Sequence, residues 1–229
     1  MAPRLGPVSR RERPAKPALT REGIVAAAVA VLRTEGMERV TMRRLATELD
    51  TGPASLYVYL RDTEELHAAV LDELLGELDL GVVAAIGDWR ERLWTLVGAY
   101  IDLLYEHPML ARVALVTRLS GPRYLEVVDA VLALLSEGGV PPDRAAWAVD
   151  VLLLVATATA VEHGTRAGMP NAEEQHQALI AQIGEVSPQR YPRIAALGAD
   201  LVSGPGRARS RWAFDVLVNG ATSTPRPSS

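Results

Sequence analysis

Residues 41–61, TMRRLATELDTGPASLYVYLR, decide how this 229-residue chain folds. Thr41 is an N-cap residue, and Leu45 and Leu49 follow one turn apart, so a short amphipathic helix begins there. Asp50-Thr51-Gly52-Pro53 is turn chemistry that ends this helix and opens another. In the second helix, expected over 54–60, Leu56 and Leu60 stand four apart and can pack on the helices behind. Ser55, Tyr57, Tyr59 and Arg61 then point elsewhere. Two short helices around a tight glycine-containing turn are what a DNA-reading helix-turn-helix needs. The first braces across the phosphate backbone and the second enters the major groove. Exposed tyrosines on so short a helix suit contact with bases and phosphates, although half-buried tyrosines capping a core are the other reading for one of them.

The flanking sequence is helical too. Thr20 caps a helix carrying Ile24, Ala27, Ala28, Val31 and Leu32, which Gly36 stops. Asp62 with Glu65 reads as a capping box, opening a helix from about 63 to 79 with Leu66, Val70, Leu74, Leu75 and Leu78 inward. Further helices are expected at about 88–105, 109–119, 123–137, 142–163, 171–184, 188–201 and 207–219, separated by Gly and Pro breaks. No stretch alternates with period two, so the chain reads as all-α. A helix-turn-helix domain over 19–65 precedes a helical body over 66–222, with a disordered tail over 223–229.

Charge separates the same two parts. Residues 1–61 hold eleven Arg or Lys against six Asp or Glu, a net +5, while the remainder carries −9. A basic head on an acidic body suggests that only the head meets a polyanion, unless the basic face is merely solvated. Residues 1–18 contain four prolines and clustered arginines, the composition of a flexible basic arm. Cysteine is absent, which excludes disulfides, Cys-ligated zinc, iron–sulfur clusters and thiol nucleophiles. The first twenty residues hold no signal-like apolar stretch, so a cytoplasmic location is expected. The apolar run 145–161 is interrupted by Asp150 and is too short for a bilayer, so no membrane partner is expected.

Enzyme constellations are missing. His67, His107, His163 and His176 are scattered, no HExxH occurs, and Gly204-Pro205-Gly206 lacks the GK[ST] ending of a phosphate loop. No catalytic residue, metal site or cofactor is expected. The body instead offers aromatic residues (Trp94, Tyr100, Tyr105, Tyr124, Trp147) and isolated polar groups (Asp102, Thr117, Arg118, Asp150, Thr157, Glu162) on otherwise apolar helices. Such a mixture suits a ligand cavity, and residue by residue it also suits plain core.

The stretch over 24–74, IVAAAVAVLRTEGMERVTMRRLATELDTGPASLYVYLRDTEELHAAVLDEL, resembles the N-terminal domain of TetR-family repressors, with VTMRRLATEL, SLYVYL and TEEL in register. YEHPMLARVALVTRLSGPRYLE, ATAVEHG and RWAFDVLVNG resemble the ligand-binding domain of the family's tetracycline-responsive members. The resemblance implies a homodimer that binds a double-stranded DNA operator and releases it when a small molecule enters the body. It implies DNA contacts by Thr41, Arg43, Arg44, Pro53, Ala54, Ser55, Tyr57 and Tyr59, with Arg43 reading a base. A phosphate-gripping Lys of the family is replaced by Thr63. The resemblance adds Leu154 to the residue reading and matches Thr117, Arg118 and Glu162, so the candidate ligand set is Trp94, Tyr105, Thr117, Arg118, Trp147, Asp150, Leu154 and Glu162. The family's magnesium-binding histidines fall on Ala114 and Leu154, leaving only Glu162, so the expected inducer is an apolar organic molecule and not a metal complex. Helices 142–163 and 207–219 are expected to form the dimer core, with Ala156 a place where Arg breaks the dimer or unfolds the chain. A helical protein-interaction module and a small-molecule-processing enzyme are the readings from other classes.

Overall fold

The computed structural model describes residues 18–227; the basic arm lies outside them except for Ala18. Among the described residues there is no strand, and eleven α-helices follow one another: α1 (Arg21–Glu35), α2 (Met42–Glu48), α3 (Pro53–Leu56), α4 (Thr63–Leu75), α5 (Trp89–Glu106), α6 (Pro108–Val116), α7 (Pro122–Glu137), α8 (Pro142–Ala167), α9 (Ala172–Gly184), α10 (Pro192–Leu197) and α11 (Gly206–Ser223).

The caps fall where the sequence places them. Thr20, Thr41 and Asp62 accept hydrogen bonds through their side chains from the backbone N–H groups of Gly23, Arg44 and Glu65, satisfying donors that each helix start leaves open. Gly36 ends α1 at φ +88°, a conformation that costs a side-chain-bearing residue but not glycine. Three differences have physical causes. The reading helix is shorter than the expected 54–60, because Tyr57, Val58 and Tyr59 are poor helix formers. The chain closes there into a tight turn in which the N–H groups of Tyr59 and Leu60 both donate to the Leu56 carbonyl. Helix α4 ends at Leu75 and winds down through tighter turns to Leu78, which is half-buried. Over 188–201, Pro192 disfavours helix in Tyr191, so α10 starts only at the proline and passes into a 3-10 turn.

The head, α1 to α3, closes on Ile24, Ala28, Leu45, Leu56, Leu60 and Leu66, all 1% exposed or less. Burial of each large side chain stabilises by roughly 1.5–3 kcal/mol. Helix α4 packs on α1 in the head and on α6 and α7 in the body, so it is shared by both parts. In the body α8 is central, with α5, α6, α7 and α11 around it. By length and composition α8 could cross a membrane, yet it packs on these four helices and buries Ala145, Ala148, Val149, Leu152, Leu153, Ala156, Thr157 and Ala160. Its other face leaves Trp147, Val151 and Leu154 exposed, and on α11, which packs on α8, Trp212 and Val216 are exposed too. Ala156 is therefore a core position inside one subunit, and Arg there attacks the fold itself and not an interface. Helix α11 reaches Ser223, and the Arg226 guanidinium lies 4.1 Å from the Trp147 ring centroid, a cation–π contact; residues 228–229 of the expected tail lie outside the described residues.

Candidate DNA-reading surface and ligand cavity

Leu56 and Leu60 anchor α3 and its turn, and everything between and before them faces solvent: Pro53, Ala54, Ser55, Tyr57, Val58 and Tyr59. Thr41 and Arg43 border this edge from the start of α2, both exposed. Among the described residues the Arg43 guanidinium has no ion-pair partner, so nothing internal competes for it. Arg44 differs. Glu35 at 2.5 Å and Glu48 at 2.9 Å hold its guanidinium, and the hydrogen bonds from Arg44 keep the Glu35 carboxyl below its ordinary range. Arg44 thus braces α2 against α1, which sets it apart from Arg43.

Val58 joins this surface, a residue that the sequence reading leaves out. It is 79% exposed, more than Tyr57 at 51%. The signal was present in the spacing, because Leu56 and Leu60 take both inward positions and residue 58 falls opposite them. An apolar branched side chain held out beside two phenols can touch a thymine methyl, a contact available only in the major groove.

The sequence-selected body residues separate into two cavities. One, of about 420 Å³, is lined by Thr117, Arg118, Asp150 and Leu154 together with Ala114, Tyr100, Tyr124 and Thr157. The other, of about 450 Å³, lies between α5, α8 and α11 and takes Trp94 and Tyr105. Trp147 and Glu162 line neither: Trp147 sits under Arg226, and Glu162 pairs with Arg166 at 2.9 Å on the surface. The single convergence of aromatics expected from sequence does not form, because α5 and α8 present residues to both sides.

In the first cavity the Tyr100 hydroxyl is buried and shares a 3.0 Å hydrogen bond with the Thr157 hydroxyl, which itself donates to the Leu153 carbonyl. Burial pushes the Tyr100 phenol up to about 12. Burial, with the Asp150 carboxylate nearby, also raises Tyr124. A phenol raised above its unfolded value adds stability that is complete below about pH 10 and is lost as pH climbs through 12. Tyr100→Phe is expected to cost about 1 kcal/mol at neutral pH and to shed about 2–3 kcal/mol of pH dependence across that alkaline window. Urea unfolding of both proteins at pH 8 and pH 11.5 measures this; parallel losses in the two would show that Tyr100 is not the group.

The loop after α6 connects this cavity to the head. Thr117, Arg118 and Leu119 line the cavity and also a groove of about 410 Å³ beneath α4. At the loop's end, Asp72 of α4 accepts from the N–H groups of Tyr124 at 2.9 Å and Arg123 at 3.4 Å. A carboxylate from α4 thereby caps the N-terminus of α7, where negative charge is favoured. Gly121 makes the approach possible, since a Cβ there would stand 2.1 Å from Asp72.

Residues 84–207 match the model of the tetracyclin repressor-like C-terminal domain, and residues 24–70 match that of the bacterial regulatory proteins of the tetR family. The crystal structure of the transcription regulator SCO7704 from Streptomyces coelicolor is 51% identical with a TM-score of 0.79, covering 93% of this chain and 100% of that one. ActR from Streptomyces coelicolor, solved in complex with actinorhodin, is 29% identical with a TM-score of 0.76, covering 89% and 95%. The transcriptional repressor DrrR1 of Streptomyces coeruleorubidus is 29% identical over 83% of this chain and 73% of its own length.

Proposed function

The chain belongs to the TetR family of bacterial regulatory proteins, ligand-responsive DNA-binding transcription regulators, and from that premise we propose a homodimeric repressor that leaves a palindromic operator when an apolar organic molecule fills the Thr117 cavity. One observation carries this reading: the loop that walls the cavity is the loop that α4 grips through Asp72. Helix α4 also carries the head, so a ligand that displaces residues 117–121 displaces the reading surface. The ligand acts by its differential affinity for the two positions of α4. ActR, with its bound actinorhodin, supports an organic inducer for this fold. Ala114 and Leu154 both line the cavity, where a methyl and an isobutyl group supply wall and no metal ligand. Thr117 and Arg118 keep one polar end that can orient a carbonyl or carboxylate.

On DNA, Arg43, Ser55, Tyr57, Val58 and Tyr59 form the reading edge, with Thr41, Pro53 and Ala54 beside them and Arg44 supporting from behind. Arg43→Ala is expected to weaken binding to the region upstream of the chain's own gene by about 1–3 kcal/mol while hardly changing binding to random DNA. Equal losses on both DNAs in a fluorescence-anisotropy titration would reduce Arg43 to a phosphate contact. Micromolar, magnesium-dependent tryptophan quenching by tetracycline, with release of that DNA, would overturn the apolar-inducer reading.

A further inference from the structure

We propose that the cavity between α5, α8 and α11 is a second small-molecule site, separate from the Thr117 cavity and shaped for a planar aromatic acid. The two cavities share no lining residue. The decisive feature is Gly98, which lies in the middle of α5 and lines the second cavity. A glycine inside a helix costs about 0.5–1 kcal/mol relative to alanine, so its presence calls for a reason. At Gly121 and Gly138 the reason is packing, because a Cβ would collide with Asp72 at 2.1 Å or with Trp89 at 2.4 Å. At Gly98 a Cβ would meet nothing within 4 Å, and its backbone is not in the left-handed region. Neither packing nor conformation asks for glycine. What its missing side chain provides is open volume in the cavity floor.

The lining specifies the occupant. Trp94 and Ile101 offer flat apolar wall beside Gly98. Helices α5 and α11 run antiparallel here. Trp94 meets Phe214 at one end with ring centroids 5.3 Å apart, and the start of α11 at Gly206 meets His163 at the other. The polar groups Asp102, His163, Arg166 and Arg207 therefore collect at the second end. Glu162 neutralises Arg166 at 2.9 Å, whereas among the described residues Arg207 and Asp102 have no ion-pair partner. Arg207 stands in the first turn of the 18-residue α11, where the helix adds partial positive charge. A ring against Trp94, an acidic group toward Arg207 and a hydroxyl or amine donor toward Asp102 satisfy all of these groups. Mostly apolar walls with a few convergent polar groups are the ordinary make-up of a small-molecule site.

The probe for the test is 1-anilinonaphthalene-8-sulfonate, an aromatic sulfonate with an N–H donor, titrated into the full-length protein. Gly98→Leu fills the cavity floor with a better helix former. It is expected to weaken probe binding about tenfold or more while leaving the melting temperature, the oligomeric mass and DNA binding as in the parent. Arg207→Ala, at an exposed position, is expected to weaken the probe about three- to tenfold, and Ala114→Trp, which fills the other cavity, is expected to leave this binding intact. Absence of probe binding to the parent, full binding by Gly98→Leu and Arg207→Ala, or loss only in Ala114→Trp would each overturn the proposal. A change of oligomeric mass in Gly98→Leu would also overturn it, by showing that a second copy of the chain fills the cavity. The site does not depend on the repressor reading, because every result that would overturn it is read from probe binding or oligomeric mass, without DNA.

Discussion

Val151→Asp combined with Val216→Asp is expected to give folded monomers whose operator affinity has fallen by about 10²–10⁴. The expectation starts from the exposed apolar residues of α8 and α11 in the single chain. On α8, Trp147, Val151 and Leu154 follow at spacings of four and three and are exposed; on the adjacent α11, Trp212 is 70% exposed with Val216 one turn on. Large apolar side chains left open on two packed helices invite a partner, and a two-fold axis beside these helices would bury them as a four-helix bundle. Carboxylates there are tolerated by the monomer, because both valines face solvent in it, and are not tolerated by the dimer. Each head then binds its half-site alone, without the effective concentration that the second head supplies. Sedimentation equilibrium reads the mass and anisotropy reads the affinity. A parent chain that is monomeric at micromolar concentration, or a double variant that stays dimeric, would remove the bundle from the account.

Gly121→Ala is expected to lower operator affinity about tenfold or more although no DNA-facing residue changes. The added methyl overlaps the Asp72 carboxylate, so either the loop or α4 must shift. If the carboxylate swings aside, α7 loses its cap at about 1–2 kcal/mol, and if α4 moves, the head moves with it. A double-mutant cycle separates these routes. Asp72→Ala removes the obstructing group, so adding Gly121→Ala to Asp72→Ala is expected to cost far less than Gly121→Ala alone. Additive costs, or parental operator affinity in Gly121→Ala, would show that the loop does not act on α4.

Much of this architecture is legible in the sequence because helices announce their ends chemically. Thr20, Thr41 and Asp62 cap where their side chains predict, and the Leu56–Leu60 pair fixes which edge of the head faces outward. The cavity was legible only in part. Thr117, Arg118, Asp150 and Leu154 do meet, yet Trp94 and Tyr105 face the opposite side of α5, and no periodicity in a helix surrounded by neighbours tells one side from the other. Trp147 illustrates the same limit. Its apolar context suggests a wall, but its partner is Arg226, almost eighty residues away, and long-range pairs leave no local signal. The Asp72 cap on α7 is another such pair, across about fifty residues. Arg44 looked equivalent to Arg43, and only the fold brings Glu35 to it.

The central claim is that paired heads read a two-fold site on DNA, each through the edge from Thr41 to Tyr59. Hydroxyl-radical footprinting of the purified full-length protein on the region upstream of its own gene tests this most directly. The account predicts two protected patches related by a dyad, their centres separated by whole turns of about 10–10.5 base pairs, at concentrations about 10³-fold or more below those that coat random DNA. A single uninterrupted zone, or protection no stronger than on random DNA, would contradict it.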